Sequence, residues 1–189
     1  MKLDDRLVAR ACAGDDAAAG ELIRAIWPDA YRIAWSILRD RQAAQDAAQE
    51  ACARAWTGLR GLRRPERLTV WLYRIVVNES RRIQRAMHHD LASVDVPSRE
   101  AIVPEERIAV RAAVDALEPC FRLPIVLRYY YGMRSAEIAQ VLGATAVAVR
   151  WRLMRAKRRL ANALDDRGSC PRADATSEER YGDESIAAG

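Results

Sequence analysis

The chain has 189 residues, a formal net charge of +5 and hydrophobic side chains at half of its positions. Helix-forming residues dominate and there is one Phe, which favours an all-α fold of one domain or two small ones. The basic charge indicates an anionic partner, nucleic acid rather than a membrane, because no long apolar span is present. The cysteines are far apart and His88–His89 lacks further ligands, so no cofactor or metal site is expected.

Four helices are predicted in the first half of the chain. Gly14 ends the first helix, Asp15 or Asp16 caps the second, and Pro28 predicts a kink or break within the second. A basic loop over residues 60–67 precedes the fourth helix. The predicted helices cover residues 3–13, a stretch after Asp15 that includes Ile33 and Ile37, residues 41–57 and residues 69–86.

The third helix has one polar face in an otherwise basic protein. Small residues line its other side, which predicts close packing against neighbouring helices. The polar face comprises Asp46, Gln49, Glu50 and Arg54. A surface meant for DNA should not carry two acids, so a protein partner is the better hypothesis. An ordinary solvated face explains the spacing almost as well.

The fourth helix combines arginines with an indole and an amide on one face, opposite Leu72, Val76 and Ile83. This face comprises Trp71, Arg74, Asn78, Arg81, Arg82 and Arg85. It suits a nucleic-acid strand, with guanidinium groups on phosphates, the amide on a base edge and the indole stacked on a base. The alternative is that Trp71 packs in the core and the arginines are merely solvated.

A linker and a second helical unit follow. Residues 88–104 contain two prolines and no periodicity, which predicts a flexible linker. Helices are predicted over 105–117 and from Pro119 or Pro124 towards Tyr131. Residues 166–189 are acidic and rich in Gly and Ser, which is typical of a disordered tail.

Residues 135–160 are typical of a helix-turn-helix that ends in a basic helix. Ser135 is a candidate N-cap, Gly143 allows the tight turn, and Thr145 is positioned to cap the second helix. An apolar stripe runs along the second helix at Val149, Leu153, Ala156 and Leu160. Its remaining surface carries Arg150, Arg152, Arg155, Lys157, Arg158 and Arg159. The alternative is a solvated basic face on a helical hairpin.

Trp151 lies almost opposite that apolar stripe. A bulky indole at this position predicts a contact with a base edge or an anchor for a protein partner. The alternative is surface packing over Met154 and Lys157.

Together these motifs resemble the extracytoplasmic-function (ECF) group of bacterial sigma factors over residues 5–164. Three stretches are similar to the family's region 2: LVARACAGDDAAAGELI, WPDAYRIAWSILRDRQAAQDAAQEACARAW and WLYRIVVNESRR. Two are similar to region 4: DALEPCFRLPIVLRYYYGMRSAEIAQVLG and VRWRLMRAKRRL. Their occurrence in this order, separated by one linker, makes the resemblance highly specific.

The resemblance implies a transcription initiation factor with three binding surfaces. The third helix would bind core RNA polymerase, the fourth helix and its preceding loop would recognise and open the −10 element, and the last helix would read the −35 element. The candidates are Asp46, Gln49, Glu50 and Arg54 for polymerase; Trp71, Arg74, Asn78, Arg81, Arg82 and Arg85 for −10; and Arg150, Trp151, Arg152, Arg155 and Arg158 for −35. Members of the family usually have an anti-sigma partner that covers these surfaces.

The chain departs from the family pattern at a few positions. Ala19 and Cys52 stand where the family usually has a large aromatic residue and Phe, which bears on core packing. Val147–Ala148 replaces a common Gly-Thr, and Trp151 replaces a small polar residue. Because these last positions face the DNA groove, the −35 sequence that this chain reads is left open.

The sequence therefore predicts two small helical domains, at 1–87 and 105–165, joined by the linker at 88–104. A linker of 17 residues spans at most about 60 Å. The two promoter elements lie about 17 base pairs, or roughly 58 Å, apart. A cytoplasmic protein is expected, either free or held at the membrane by an anti-sigma partner.

Two rival functions remain at this stage. The first is a free-standing helix-turn-helix regulator, against which the acidic face and the separate Trp71 face argue. The second is an enzyme acting on nucleic acid. The sequence argues against it, because it has no clustered carboxylates, no phosphate-binding Gly loop and no His-based constellation.

Overall fold

The computed structural model describes residues 4–62, 64–89 and 105–168, and this part of the chain contains helices and no strand. The eight α-helices are α1 (Asp5–Cys12), α2 (Asp16–Leu38), α3 (Arg41–Gly58), α4 (Leu68–His89), α5 (Glu105–Asp115), α6 (Pro119–Ile125), α7 (Ser135–Leu142) and α8 (Ala146–Gly168). Short 3₁₀ turns at Leu59–Gly61 and Pro65–Arg67 precede α4, and a π-helical turn at Val126–Tyr130 follows α6. The predicted all-α fold class is confirmed.

Helices α1 to α4 form the first lobe. Gly14, with φ of +97°, separates α1 from α2, and the Asp15 carboxylate caps α2 by accepting a hydrogen bond of 3.0 Å from the Ala18 N–H. Of the kink or break predicted at Pro28, the break is wrong, because α2 runs uninterrupted through that residue, and the kink stays a prediction. Pro28 is exposed, while Ile26 and Ala30 on either side are fully buried. Their packing outweighs the single backbone hydrogen bond that proline removes.

The small residues of α3 allow close packing within this lobe. The helix lies against both α2 and α4, and its buried positions are nearly all alanines. With only a methyl group at the contact, two helix axes approach closely, and the close packing that the sequence predicts is confirmed. The polar face of α3 is thereby left outermost.

Helices α5 to α8 form the second lobe. Val149, Leu153 and Ala156 are buried against α6 and α7, which confirms the apolar stripe of α8. The predicted N-cap of α7 is one residue off, because Arg134 holds the cap position and Ser135 is the first helical residue. The Glu137 carboxylate accepts the Arg134 backbone N–H at 2.6 Å. That hydrogen bond satisfies a free donor at the helix start.

The predicted linker overlaps the described structure at its start. Helix α4 continues to His89, into the segment predicted as linker, while residues 90–104 lie outside the described residues. Helix α8 likewise extends past residue 165 to Gly168, and residues 169–189 of the predicted tail lie outside the described residues.

The two lobes pack directly against each other. Helix α4 contacts α7, and α2 contacts α6. The buried apolar residues of both lobes belong to one continuous cluster. The sequence predicts two tethered units but does not predict this contact. The contact between the lobes determines how much of each candidate surface is exposed.

Candidate nucleic-acid interface

The helix-turn-helix has the geometry that its sequence predicts. Gly143 adopts the left-handed conformation, with φ of +63°. The Thr145 hydroxyl accepts a hydrogen bond of 3.1 Å from the Ala148 N–H and so caps α8. Burial of Val149 on one side of α8 leaves Arg150 exposed on the other. A basic helix presented in this way suits the major groove of duplex DNA.

The five residues predicted to read the −35 element are not equally accessible. Arg150, Arg155 and Arg158 are exposed, whereas Arg152 is half-buried. Trp151 is 50% exposed, with its ring centroid 6.2 Å from that of Phe121 and the Arg155 guanidinium 5.4 Å from its ring centre. The indole therefore lies beside a residue of α6 and a cation of its own helix.

This arrangement differs from packing over Met154 and Lys157. The Lys157 ammonium lies over the ring of Tyr129 instead, 5.5 Å from its centre, and Met154 is itself exposed. A groove of about 530 Å³ lies along this side of the lobe. Its lining residues are Arg128, Tyr129, Ser135, Arg150, Leu153, Met154, Lys157 and Arg158.

The candidate −10 face of α4 is only partly accessible. Arg74, Asn78, Arg82 and Arg85 are exposed, as predicted. Trp71 is half-buried and its ring lies against Gly58, where an added Cβ would be 2.8 Å from the indole. Trp71 therefore packs partly against the core, as the alternative interpretation of this residue expects.

Trp71 also lines a groove between the two lobes. This groove has a volume of about 410 Å³. Helix α4 and the residues before it contribute Arg67, Val70, Trp71 and Arg74, and the second lobe contributes Ala139, Gln140, Gly143 and Ala144. The turn of the helix-turn-helix thus lies beside the candidate −10 face.

Arg81, also predicted to bind the −10 element, is used in the contact between lobes. Its Nη1 donates to the Leu142 carbonyl at 3.0 Å, at the carboxyl end of α7. Burial lowers the pKa of Arg81, and the nearby positive charges of Arg152 and Arg85 lower it further. One −10 candidate and one −35 candidate, Arg81 and Arg152, therefore lie close enough to repel each other.

The candidate polymerase face on α3 is exposed and tied to α4. Asp46 and Gln49 are exposed. Glu50 accepts from Arg54 Nε at 2.8 Å, and Arg54 Nη1 lies 2.9 Å from Glu79 on α4. Hydrogen bonding to Glu50 and the charge of Glu79 raise the pKa of Arg54, so the guanidinium is held as a cation.

Sequence reasoning missed two buried charged residues. Glu79 is 3% exposed, and Arg122 is 6% exposed in an apolar run of α6. A signal existed for Glu79, since it follows Leu72 and Val76 at spacings of seven and three, on the apolar face of α4. Arg122 interrupts a stretch in which every neighbour from Phe121 to Ile125 is buried.

These features define a class of protein: a helix-turn-helix protein with a second basic helix and a separate exposed face that carries two acids. Comparison with known proteins identifies the family. The model of Sigma-70 region 2 matches residues 8–87, and the model of Sigma-70, region 4 matches residues 107–160.

Curated relatives agree with the family models. The chain is 34% identical over 166 residues to the ECF RNA polymerase sigma factor SigM of Mycobacterium tuberculosis, covering 85% of this chain and 84% of SigM. It is also 34% identical over 168 residues to a Xanthomonas campestris pv. campestris protein described as "Probable RNA polymerase sigma factor RfaY". That match covers 82% of this chain and 42% of the relative, so the chain spans less than half of that protein's length.

Two solved structures share the fold. CnrH in complex with the cytosolic domain of CnrY matches with a TM-score of 0.62 and 29% identity, over 86% of this chain and 97% of that one. The sigma factor RpoE of Bartonella quintana, in complex with the anti-sigma factor NepR, matches with a TM-score of 0.68 and 20% identity, over 77% of this chain and 96% of that one.

The chain belongs to the ECF family of RNA polymerase sigma factors. Its function is promoter-specific transcription initiation through RNA polymerase, and its class is that of regulatory transcription factors. Among the described residues, no helix is both long and apolar enough to span a membrane.

Proposed function

We propose that three surfaces of this sigma factor divide its tasks. The α3 face binds core RNA polymerase, the α4 face takes the −10 element as an unpaired strand, and α8 reads the −35 element in the major groove. The residues are Asp46, Gln49, Glu50 and Arg54 on α3; Trp71, Arg74, Asn78, Arg81, Arg82 and Arg85 on α4; and Arg150, Trp151, Arg152, Arg155 and Arg158 on α8.

The observation that supports the assignment most directly is the separation of charge between faces. Asp46 is exposed on α3, whereas Arg74 and Arg85 are exposed on α4 and Arg150 on α8. Acidic side chains repel DNA phosphates, whereas basic side chains bind the phosphates and release the counterions condensed on the DNA. One surface thus suits a protein and two suit nucleic acid.

We further propose the domain limits, an anti-sigma partner and a cytoplasmic location. The polymerase-binding and −10-binding domain covers 1–87, the linker 88–104, the −35-binding domain 105–165 and the acidic tail 166–189. An anti-sigma factor holds the protein inactive, a proposal supported by the complex of the structural relative RpoE with the anti-sigma factor NepR. The protein acts in the cytoplasm, free or held at the membrane by that partner, and it catalyses no reaction itself.

Run-off transcription with purified core polymerase on the gene's own upstream region tests the function. We expect a defined start site only when both core polymerase and this chain are present. The isolated chain should give no footprint comparable with that of the holoenzyme. A footprint of equal strength from the chain alone would instead establish a free-standing helix-turn-helix regulator.

A further inference from the structure

The groove of about 530 Å³ on the second lobe combines positive charge with apolar surface. It is lined by the π-helical turn after α6, the first residue of α7 and the middle of α8. Leu153, Met154 and the ring of Tyr129 supply the apolar surface. Four lining side chains, the groove cations, are basic and none is acidic: Arg128, Arg150, Lys157 and Arg158. A surface of one sign attracts ligands of the opposite charge.

The carboxylates of the two lobes do not neutralise the groove cations. Within residues 4–62, 64–89 and 105–168, no ion pair includes any of the four. The neighbouring Arg159 is paired instead with Glu118, at 2.8 Å. Arg128 donates a hydrogen bond of 3.0 Å to the Met133 carbonyl, which positions the guanidinium without cancelling its charge. The groove is therefore suited to an anionic ligand.

The chain carries an acidic segment directly after α8. Residues 169–189 of the acidic tail follow Gly168 and lie outside the described residues. Between positions 174 and 184 there is one base, Arg180, and five acids: Asp174, Glu178, Glu179, Asp183 and Glu184. Carboxylates bind guanidinium and ammonium groups through the same charge-assisted hydrogen bonds as phosphates do. The tail thus supplies the charge that complements the groove.

The groove lies within reach of these acids. Met154 is about 21 Å along α8 from Gly168, at a rise of 1.5 Å per residue. The ten residues from Gly168 to Glu178 span at most about 35 Å when extended. Glu178 and the acids that follow it can therefore return to the groove. A tethered ligand acts at an effective concentration on the order of millimolar, so a few weak ion pairs suffice to hold it.

We propose that this groove is the docking site for the chain's own acidic tail, which occupies it in place of DNA phosphates. The inference rests on the proposed role of α8, because Arg150 and Arg158 line the groove and are also −35 candidates. Tyr181 is the single aromatic residue of residues 169–189, and acidic pairs flank it on both sides. It is our candidate for the apolar surface of Met154 and Tyr129. The tail and duplex DNA thus compete for the same cations.

Photochemical cross-linking of the full chain tests where the tail binds. Tyr181 is replaced by the photoreactive residue p-benzoylphenylalanine, and mass spectrometry locates the cross-linked peptide. We expect a cross-link within one chain to the 150–158 segment, centred on Met154, that excess duplex DNA suppresses. A cross-link to the first lobe, or one that joins two chains, would overturn the proposal.

Binding to duplex DNA tests the competition. The tail variant is Glu178→Gln with Glu179→Gln, and the control is Asp5→Asn with Glu21→Gln, an equal charge change at exposed positions of the first lobe. Fluorescence anisotropy measures affinity for a duplex from the gene's own upstream region. We expect the tail variant to bind roughly three- to tenfold more tightly at low salt, with the gain fading as salt screens the ion pairs. The control should change affinity less than about twofold, as expected for distant, screened charges.

Equal tightening by both double variants would overturn the docking proposal, because it would reflect net charge alone. Lys157→Gln, at a groove cation outside the −35 candidates, should weaken the cross-link from residue 181. Failure of the α8 assignment itself has a different signature. In that case holoenzyme with Arg150→Ala would select the same −35 sequences as wild type, whatever residue 181 cross-links to.

Discussion

Arg54 on α3 and Glu79 on α4 form an ion pair of 2.9 Å that joins the proposed polymerase face to the proposed −10 helix. The second oxygen of Glu79 lies 2.9 Å from Nε of Arg82, itself a −10 candidate. Glu79 is nearly fully buried, whereas the two arginines are more than half exposed. One carboxylate thus orients a cation on each of two functional surfaces.

Replacing Glu79 with Gln should destabilise the first lobe and weaken core binding together. The variant keeps the side-chain volume but leaves two arginines without their shared anion. Because those arginines are solvent-screened, we expect a loss of about 1–2 kcal/mol in unfolding free energy, measured by urea denaturation. The control is Glu50→Gln at a partly exposed pair, which should cost at most about 0.5 kcal/mol. Equal effects from both variants would refute a special role for Glu79.

Charge reversal of Asp46 should weaken binding to core polymerase and leave the fold intact. Asp46 is exposed and accepts a hydrogen bond of 3.0 Å from the neighbouring Gln42. A reversed charge on a complementary interface should slow association and lower affinity about tenfold or more. Pull-down of core by Asp46→Arg measures this, and Glu21→Arg, an equal charge change at an exposed position of α2, is the control. Normal capture of core by Asp46→Arg would show that the polymerase face lies elsewhere.

Much of the local structure follows from the sequence because its signals are local. The period of Val149, Leu153 and Ala156 and the cap at Thr145 place α8 correctly, since both depend on residues within one or two turns. The contact between lobes was not predictable in this way. Its bonds join residues far apart in sequence, such as Asp29 and Tyr131, and neither residue carries a local signal of its partner.

The same distinction explains the partial accessibility of the candidate −10 face. Spacing correctly groups Arg74 and Arg81 on one side of α4. It does not reveal that α7 packs on that side, because no signal in α4 identifies its neighbour. The absence of a break at Pro28 and the shift of the α7 cap from Ser135 to Arg134 have a related cause. Packing around α2 and the Glu137 hydrogen bond outweigh single-residue preferences.

Gly58→Ala should displace Trp71 without unfolding the protein. A Cβ at residue 58 would lie 2.8 Å from the indole, closer than packed atoms approach, so the ring must move. If a base stacks on Trp71, open-complex formation should weaken by about 1–3 kcal/mol, with a smaller effect on initial duplex binding. Permanganate footprinting and duplex-binding assays separate the two steps.

Gly61→Ala is the matched control for this substitution, because an added Cβ there meets nothing within 4 Å. We expect it to resemble wild type in both assays. The same result for Gly58→Ala would remove Trp71 from the −10 site. Equal losses in duplex binding and opening, together with a lower melting temperature, would assign Trp71 to packing alone.

Trp151 should set the −35 preference by supporting Arg155. The Arg155 guanidinium lies 5.4 Å from the centre of the Trp151 ring. The ring of the buried Phe121 lies 6.2 Å from the same ring, centroid to centroid. Stacking restricts the arginine before DNA arrives, which reduces the entropy lost on binding. We expect Trp151→Ala to alter preference at one −35 position by about 1–3 kcal/mol. Its effect should not add to that of Arg155→Ala, because both remove the same contact.

Two further variants distinguish this role from general attraction to DNA. Trp151→Phe keeps an aromatic platform and should retain the wild-type −35 preference. Arg158→Ala should weaken binding to all sequences alike and lower the salt slope by about one, as expected for loss of a phosphate contact. Binding-site selection with each variant measures the preference. An unchanged −35 consensus for Trp151→Ala would show that the indole only packs against Phe121, since a residue that orients a base-reading arginine cannot be removed without changing the bases selected.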